Sequence, residues 1–329
     1  MSSNNSKNAK LQYEAGQAAA AMAAMTDSGD ATTFESAATM WSGKSGYDAV
    51  VRPNGRLTGG AVTPSAAGGN NNVDVAALTC NLAGVETSVS AALNTAITRP
   101  ATAVSKINSI TVNSSGAIAV VAGTDGATTA FSETRAAAGG PPLIPVGSIE
   151  IAQVRVTSNT AAPITAAQIF AVVGLHTEDA NFPVWNIDYA TGSITFLAAL
   201  PKIHTGTLPK AVYASYSEPI FGDVQLANDF KPPEISHSAT SEQIFGTTLG
   251  SSSETLGQGS FVAYLDDGIT DPLVAQKNQK IWFRFYPDRT KTPHLLMQGT
   301  LGIGRTYKAG DRNQAACTIS AESAAIEVA

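Results

Sequence analysis

Charge is scarce in this chain. Only 14% of its 329 residues are Asp, Glu, Lys or Arg, against roughly 25% in an average globular protein. Ala, Gly, Ser and Thr fill the gap. Small uncharged residues suit close-packed sheets and extended subunit contacts better than a solvated, helix-rich enzyme. Disorder usually pairs low hydrophobicity with high net charge. Here 43% of residues are hydrophobic, enough for one large domain or two ordinary ones with a sizeable core. An excess of positive charge is also lacking. The net charge is −6 and the pI about 5.2, so the basic footprint that grips nucleic acid is absent. Mild acidity fits a soluble protein, or a surface past which DNA slides without sticking.

Cysteine is nearly absent. Cys80 and Cys317 lie far apart and form no CxxC pattern, which argues against a disulfide framework or a zinc site. Two buried thiols acting as small hydrophobes are expected. No apolar run approaches the ~18 residues that span a membrane. Met1–Asn5 open without a basic start and an apolar stretch, so no secretory signal is predicted. The expectation is a protein made in the cytoplasm that stays soluble until something captures it.

The motifs of catalysis are missing too. Gly43-Lys44-Ser45 looks like the end of a phosphate-binding loop, but Ala38 stands where that motif needs its first glycine. Gly302-Ile303-Gly304 begins like a dinucleotide fingerprint, but Tyr307 occupies the third glycine position. His176, His204, His237 and His294 are widely separated, and none has a second ligand four residues on. No GxSxG surrounds a serine. Asp266-Asp267 reads as a turn with solvated carboxylates, since neighbours on a strand point to opposite sides. Aromatics, 7% of the chain, are not interleaved with Lys or Arg as a single-strand stacking platform requires. No catalytic residue, metal or cofactor is expected.

What is present is mostly strand signal. Leu11, Ala15, Ala18, Met22 and Met25 recur at helical spacing, so an Ala-rich amphipathic helix is expected over residues 8–25, ended by Asp27–Asp30. From Leu57 to Ser132 the only charges are Asp74, Glu86, Arg99, Lys106 and Asp125, with turn signals at Gly59-Gly60 and Gly68–Asn72. Residues 85–94 alternate as a half-buried strand would, although a helical stripe fits nearly as well; the Thr, Val and Ser content favours the strand. Ile107–Val112 and Ala117–Ala122 flank Asn113–Gly116 and predict a β-hairpin.

Ala136–Pro145 (AAAGGPPLIP) is a Gly/Pro breaker and marks a module boundary. Ile149–Thr157 reads as a strand. Thr165–Gln168 matches a capping box, with Ile164 and Ile169 as a staple and Gly174 as the stop of a short helix. Further strands are expected at 185–189, 193–197, 210–215, 261–265, 280–286, 295–303 and 317–320, separated by turn residues, a pattern of sandwiches and barrels. The resulting division is an N-terminal arm with the Ala-rich helix (1–56), a low-charge β-rich added module facing outward (57–142) and a β domain (143–329).

Charge is also segregated. Glu218–Asp271 holds nine acids and one base, Lys231, and Lys277–Arg312 holds eight bases and two acids, Asp288 and Asp311. Solvated faces produce such runs by chance. The sharper reading is a subunit whose acidic end meets the basic end of the next copy, a head-to-tail contact that yields rings or filaments. Asp266, Asp267, Asp271, Lys277, Lys280 and Arg284 are the candidate contact residues.

The run KIWFRFYPDRTKTPHLLMQGTLGIGRTYKAGDRNQAACTISAE (280–322) resembles the closing strands of phage tail tube proteins. IPVGSIEIAQVRVTSNTAAPITAAQI (144–169) and NFPVWNIDYATGSITFLAALPKIHTG (181–206) resemble the tail tube, or major tail, protein of long-tailed bacteriophages. Together these cover 95 of the 329 residues, under a third of the chain, and residues 57–142 depart from the compact form of the family. The resemblance implies a β-sandwich or barrel with a short flanking helix. It also implies hexameric rings stacked into a tube within the phage virion. Partners would be further copies of itself, tape-measure and tail-tip proteins, and DNA passing through the lumen unbound, with no membrane insertion. The alternative is a head-decoration or tail-fibre protein that binds a surface glycan, and behind it a bacterial surface adhesin. A glycan binder clusters aromatics at loop tips, whereas Trp41, Trp185 and Trp282 are scattered in sequence.

Overall fold

The computed structural model describes residues 8–329. It is mainly β, with 50% of residues in strands and 3% in helix. The chain forms two compact units. Unit 1 contains the chain up to Ala19, then Met40–Asp48 and Tyr216–Ala329; unit 2 contains Ala20–Thr39 and Ala49–Ser215.

The division at 57–142 and 143–329 is therefore corrected. Lys106–Val112 pairs antiparallel with Ile149–Val156, from Lys106↔Val156 to Val112↔Ile149. Ala136–Pro145 is thus a connection inside unit 2. The strand Ile149–Val156 is buried at every position. Ile149, Ile151, Val154 and Val156 join Val73, Val75, Leu78, Cys80, Leu82, Ile110 and Val112 in one apolar core. Residues from both sides of the Gly/Pro break supply that core, so neither side buries its apolar surface alone.

Within unit 2 the hairpin Lys106–Val112/Ile118–Ala122 is present in register, Val112↔Ile118 to Asn108↔Ala122. The expected strand over 85–94 is two strands. Val85–Val89 pairs with Leu78–Leu82, and Ala92–Ala96 pairs with Asn72–Val75 in a different sheet. Ala83 and Gly84, at φ 50° and 76°, form the two-residue turn between Leu82 and Val85, the geometry that primed hairpin turns demand. A Cβ on Gly84 would stand 2.3 Å from Met22 Cγ, so a larger residue would have to displace Met22 as well as hold a left-handed φ. Thr165–Gln168 does form a cap. Gln168 Oε1 accepts from the Thr165 N–H at 2.9 Å. The helix it starts is a single 3-10 turn, Ala166–Gln168, and Ile169 is already extended and pairs with Val154. Strand pairing stops the helix before Gly174.

In unit 1, Gly259–Leu265, Asn313–Ala321, His294–Thr306 and Lys280–Tyr286 lie side by side in that order, all antiparallel. The next strand is Lys10–Ala24, whose residues to Ala19 belong here. This overturns the Ala-rich helix. Leu11 pairs with Phe285 and Tyr13 with Phe283, and both Leu11 and Tyr13 are buried. Their i, i+2 spacing is the strand signal. The alanines that suggested a helical stripe fit either conformation, and tertiary pairing overrides a weak propensity.

Lys280–Tyr286 is covered on both faces. Ile281, Phe283 and Phe285 pack with Leu11, Tyr13, Phe261, Leu301 and Cys317. On the other face Trp282 donates its indole N–H to the Trp41 carbonyl at 2.8 Å, and Trp41 stacks on Tyr216 at 4.8 Å. The fully buried Glu14 carboxylate accepts from Ser42 Oγ, Gln17 Nε2 (2.8 Å) and the Trp282 N–H (3.1 Å). The loop Met40–Asp48 is thereby tied to the sheet. Cys80 and Cys317 are free and buried, as expected.

Candidate assembly surface

The six charged candidates do not form one surface. Asp271 accepts from the backbone N–H of Asp266 (2.9 Å), Asp267 (3.3 Å) and Gly268 (2.7 Å). Asp267 accepts from the Ile269 and Thr270 N–H groups at 2.7 Å and from Thr270 Oγ1 at 2.5 Å, which together hold its carboxyl far below the usual carboxylate range. These two acids shape a turn. Lys280 pairs with Glu322 at 2.8 Å. Arg284 lies over the Phe221 ring, 3.8 Å from its centroid. Asp271 precedes the short helix Pro272–Ala275 without capping it through its side chain, and that helix joins the acidic turn to Lys277 in the same chain.

Sheet register also mixes the signs. Leu265 pairs with Asn313 and Thr306 with Gln314, so the Asp266-Asp267 turn shares one sheet end with Arg305 and Arg312. Arg305 Nη1 donates to the Gly268 carbonyl at 2.5 Å. The opposite end carries Lys10 beside Tyr286, with Asp288 and Arg289 following. Neither end is wholly acidic or wholly basic.

The element that most calls for a partner is one that periodicity did not predict. Ile235–Ile244 and Thr247–Leu256 form a two-stranded sheet of their own, ten pairs long without a bulge, from Ile235↔Leu256 to Ile244↔Thr247. Ten residues at ~3.4 Å each make an arm about 34 Å long. Every residue from Ile235 to Thr255 whose burial is described is exposed. Cross-strand hydroxyls hold the pairing, Ser238–Ser253 at 2.7 Å and Thr240–Ser251 at 2.8 Å. Phe245 and Gly246 (φ 88°) make the tip, and Phe245 is fully exposed. Lys231-Pro232-Pro233-Glu234 leads into the arm, where the Pro233 carbonyl accepts from Ala325 N–H and the Glu234 carbonyl from Gly257 N–H, both at 2.8 Å. A two-stranded hairpin is marginal by itself in water, and its two open edges invite pairing with another chain.

Unit 1 also contains a groove of about 1100 Å³. Its apolar lining includes Leu11, Val224, Leu226, Phe230, Tyr264 and Phe285, and Phe230 stacks on Phe285 at 4.2 Å. One wall is Ala227–Lys231, the outermost strand of the sheet.

Buried ionisable groups gather in unit 2. Arg135 pairs with Glu150, which also accepts from Ser109 Oγ at 2.5 Å and Gln153 Nε2 at 3.2 Å. Burial raises the Glu150 carboxyl, with Arg135 opposing. Glu178 accepts from the Glu150 N–H at 2.7 Å; burial pushes it up to about 7 against the attraction of Lys210. Lys210 is fully buried, donates to the Asp179 carbonyl at 2.5 Å and is pushed down to about 8 by burial. Arg155 holds Glu133 through two bonds, 2.5 and 2.8 Å, and lies over Phe170. His176 and His204 are buried and shifted down by it. A cavity of about 20 Å³ is lined by Arg135, Glu150, Glu178 and Lys210, room for about one water and not for an organic substrate. Among the described residues no group of three or more His, Cys, Asp or Glu is arranged to hold a metal ion, and no helix is long and apolar enough to cross a membrane.

No protein-family model, curated protein or solved structure matches this chain.

Proposed function

We propose that this chain is a non-enzymatic structural subunit that assembles with copies of itself into stacked rings, as a tail tube protein of a long-tailed phage does. The exposed hairpin Ile235–Leu256 carries the reading. It is a long arm with two open edges and a bare aromatic tip, and it gains its stability by meeting another chain. The low charge and the small-residue composition agree with closely apposed subunit surfaces.

In this reading the rings are hexameric and the tube is the conduit for DNA ejection. The net charge of −6 suits a lumen that DNA traverses without binding. Tape-measure and tail-tip proteins are the further partners, and the virion is the destination. The buried ionisable set of unit 2 then belongs to the interior of the fold, since the space beside it admits no substrate. The glycan-binding alternative needs aromatic rings clustered at loop tips; Trp41 and Trp282 are buried, and the exposed rings Tyr47, Phe245 and Tyr307 lie on separate segments of the chain.

Replacing residues 235–256 by a short Gly/Ser linker tests the reading. Sedimentation velocity should show the intact chain oligomerising as concentration rises and the shortened chain remaining a folded monomer. Equal oligomerisation of the two removes the hairpin from any role in assembly.

A further inference from the structure

We infer that the hairpin tip of one copy, anchored by Phe245, seats in the unit 1 groove of a second copy, between Leu226 and the stacked Phe230–Phe285 pair. The inference rests on the reading of the chain as a self-assembling subunit and names the contact that builds the assembly.

Three observations support it. The first is apolar complementarity. Phe245 stands fully exposed on a two-residue turn at the far end of the arm, and buried aromatic anchors dominate protein interfaces. The groove offers half-buried aromatic and aliphatic side chains, and its volume of about 1100 Å³ exceeds what one side chain fills. The second is charge. Glu234–Leu256 carries Glu234, Glu242 and Glu254 and no Lys or Arg. The groove carries Lys10, Arg289 and Arg312 against Asp223 and Asp229. Lys10 and Asp223 already pair at 3.2 Å, which leaves two bases facing one acid. Such a rim steers an acidic arm toward the groove. The third is backbone. The Ala227–Lys231 wall is an outermost strand, and an incoming hairpin edge can pair with it by strand addition.

Arm and groove are different surfaces of one chain. Seating one arm leaves a free groove behind and a free arm ahead, so the contact is heterologous and propagates as a ring or filament.

Cross-linking between two full-length variants tests this. Thr247→Cys, beside the tip, and Gln225→Cys, on the groove rim, both exposed and both leaving Phe245 and Leu226 in place, are purified separately, mixed and oxidised with diamide. Val85→Cys, exposed in unit 2, replaces Gln225→Cys in a control mixture. Disulfide-linked heterodimer should form in the first mixture at ten or more times the control yield. Phe245→Ala, in an otherwise intact chain, should raise the concentration for half-assembly at least about tenfold, the behaviour of an interface hot spot. If the unaltered chain oligomerises but the first mixture cross-links no better than the control, the groove is not the receptor and the self-assembly reading stands. If the unaltered chain stays monomeric at every concentration, both fall together.

Discussion

The Trp282 indole N–H reaches the Trp41 carbonyl at 2.8 Å, and this bond ties the loop Met40–Asp48 to the middle of the unit 1 sheet. Trp41 has no exposed surface and stacks on Tyr216. Trp41→Ala should therefore cost about 3–5 kcal/mol of stability, as truncation of a buried aromatic does. Trp282→Phe keeps most of the packing but leaves the Trp41 carbonyl without its donor, a loss of roughly 1–3 kcal/mol. Urea denaturation followed by circular dichroism checks both. Equal midpoints for the two variants would show that packing and hydrogen bond had been apportioned wrongly.

The Glu178–Lys210 pair makes the stability of unit 2 depend on pH. Glu178 titrates at about 7 in the fold against 4.5 ordinarily, so between these values the folded state holds the extra proton. Stability from the neutral carboxyl is full below pH 4.5 and is lost as pH rises through 7. Lys210 titrates at about 8 against 10.5 ordinarily, so between these values the unfolded state holds the extra proton and stability rises with pH. The pair's contribution should pass through a minimum between pH 7 and 8. Hydrogen exchange of the Ile149–Val156 amides across pH 5–10, corrected for intrinsic rates, reads it. Glu178→Gln should flatten the acid limb; a limb unchanged in that variant assigns the slope to another group.

Residues 57–142 should not be removable. Deleting them takes Lys106–Val112 from Ile149–Val156, whose eight residues are all buried, and removes ten of the sixteen buried residues of the core cluster the two strands share. The expected product is insoluble. A soluble deletion with a cooperative urea transition would restore the view of 57–142 as a separable module.

The sequence reveals structure where one side of an element is dry. Lys280–Tyr286 and Ile107–Val112 were legible because buried residues recur along them, and the turn Asn113–Gly116 fixed the hairpin between Val112 and Ile118. Residues 8–25 read as a helix where the strand Lys10–Ala24 stands, because alanine marks no face and only Leu11 and Tyr13 show the period of two. The pairing of Lys106–Val112 with Ile149–Val156 joins segments on either side of a Gly/Pro-rich connection, and local pattern holds no information about such a partner. The hairpin Ile235–Leu256 escaped notice for a different reason. Its sequence lacks hydrophobic alternation, and its local signal is the Phe245-Gly246 turn between Ser/Thr-rich runs. Charge counting singles out Asp267 and Asp271, and the structure gives both a local role as acceptors within their own turn that no charge count reveals.

Negative-stain electron microscopy of the intact purified chain, over a concentration series, tests the central claim most directly. The account predicts rings of uniform diameter with an open centre, stacking into tubes as concentration rises. A chain that stays a compact monomer in every micrograph, and by light scattering at every concentration, would contradict it.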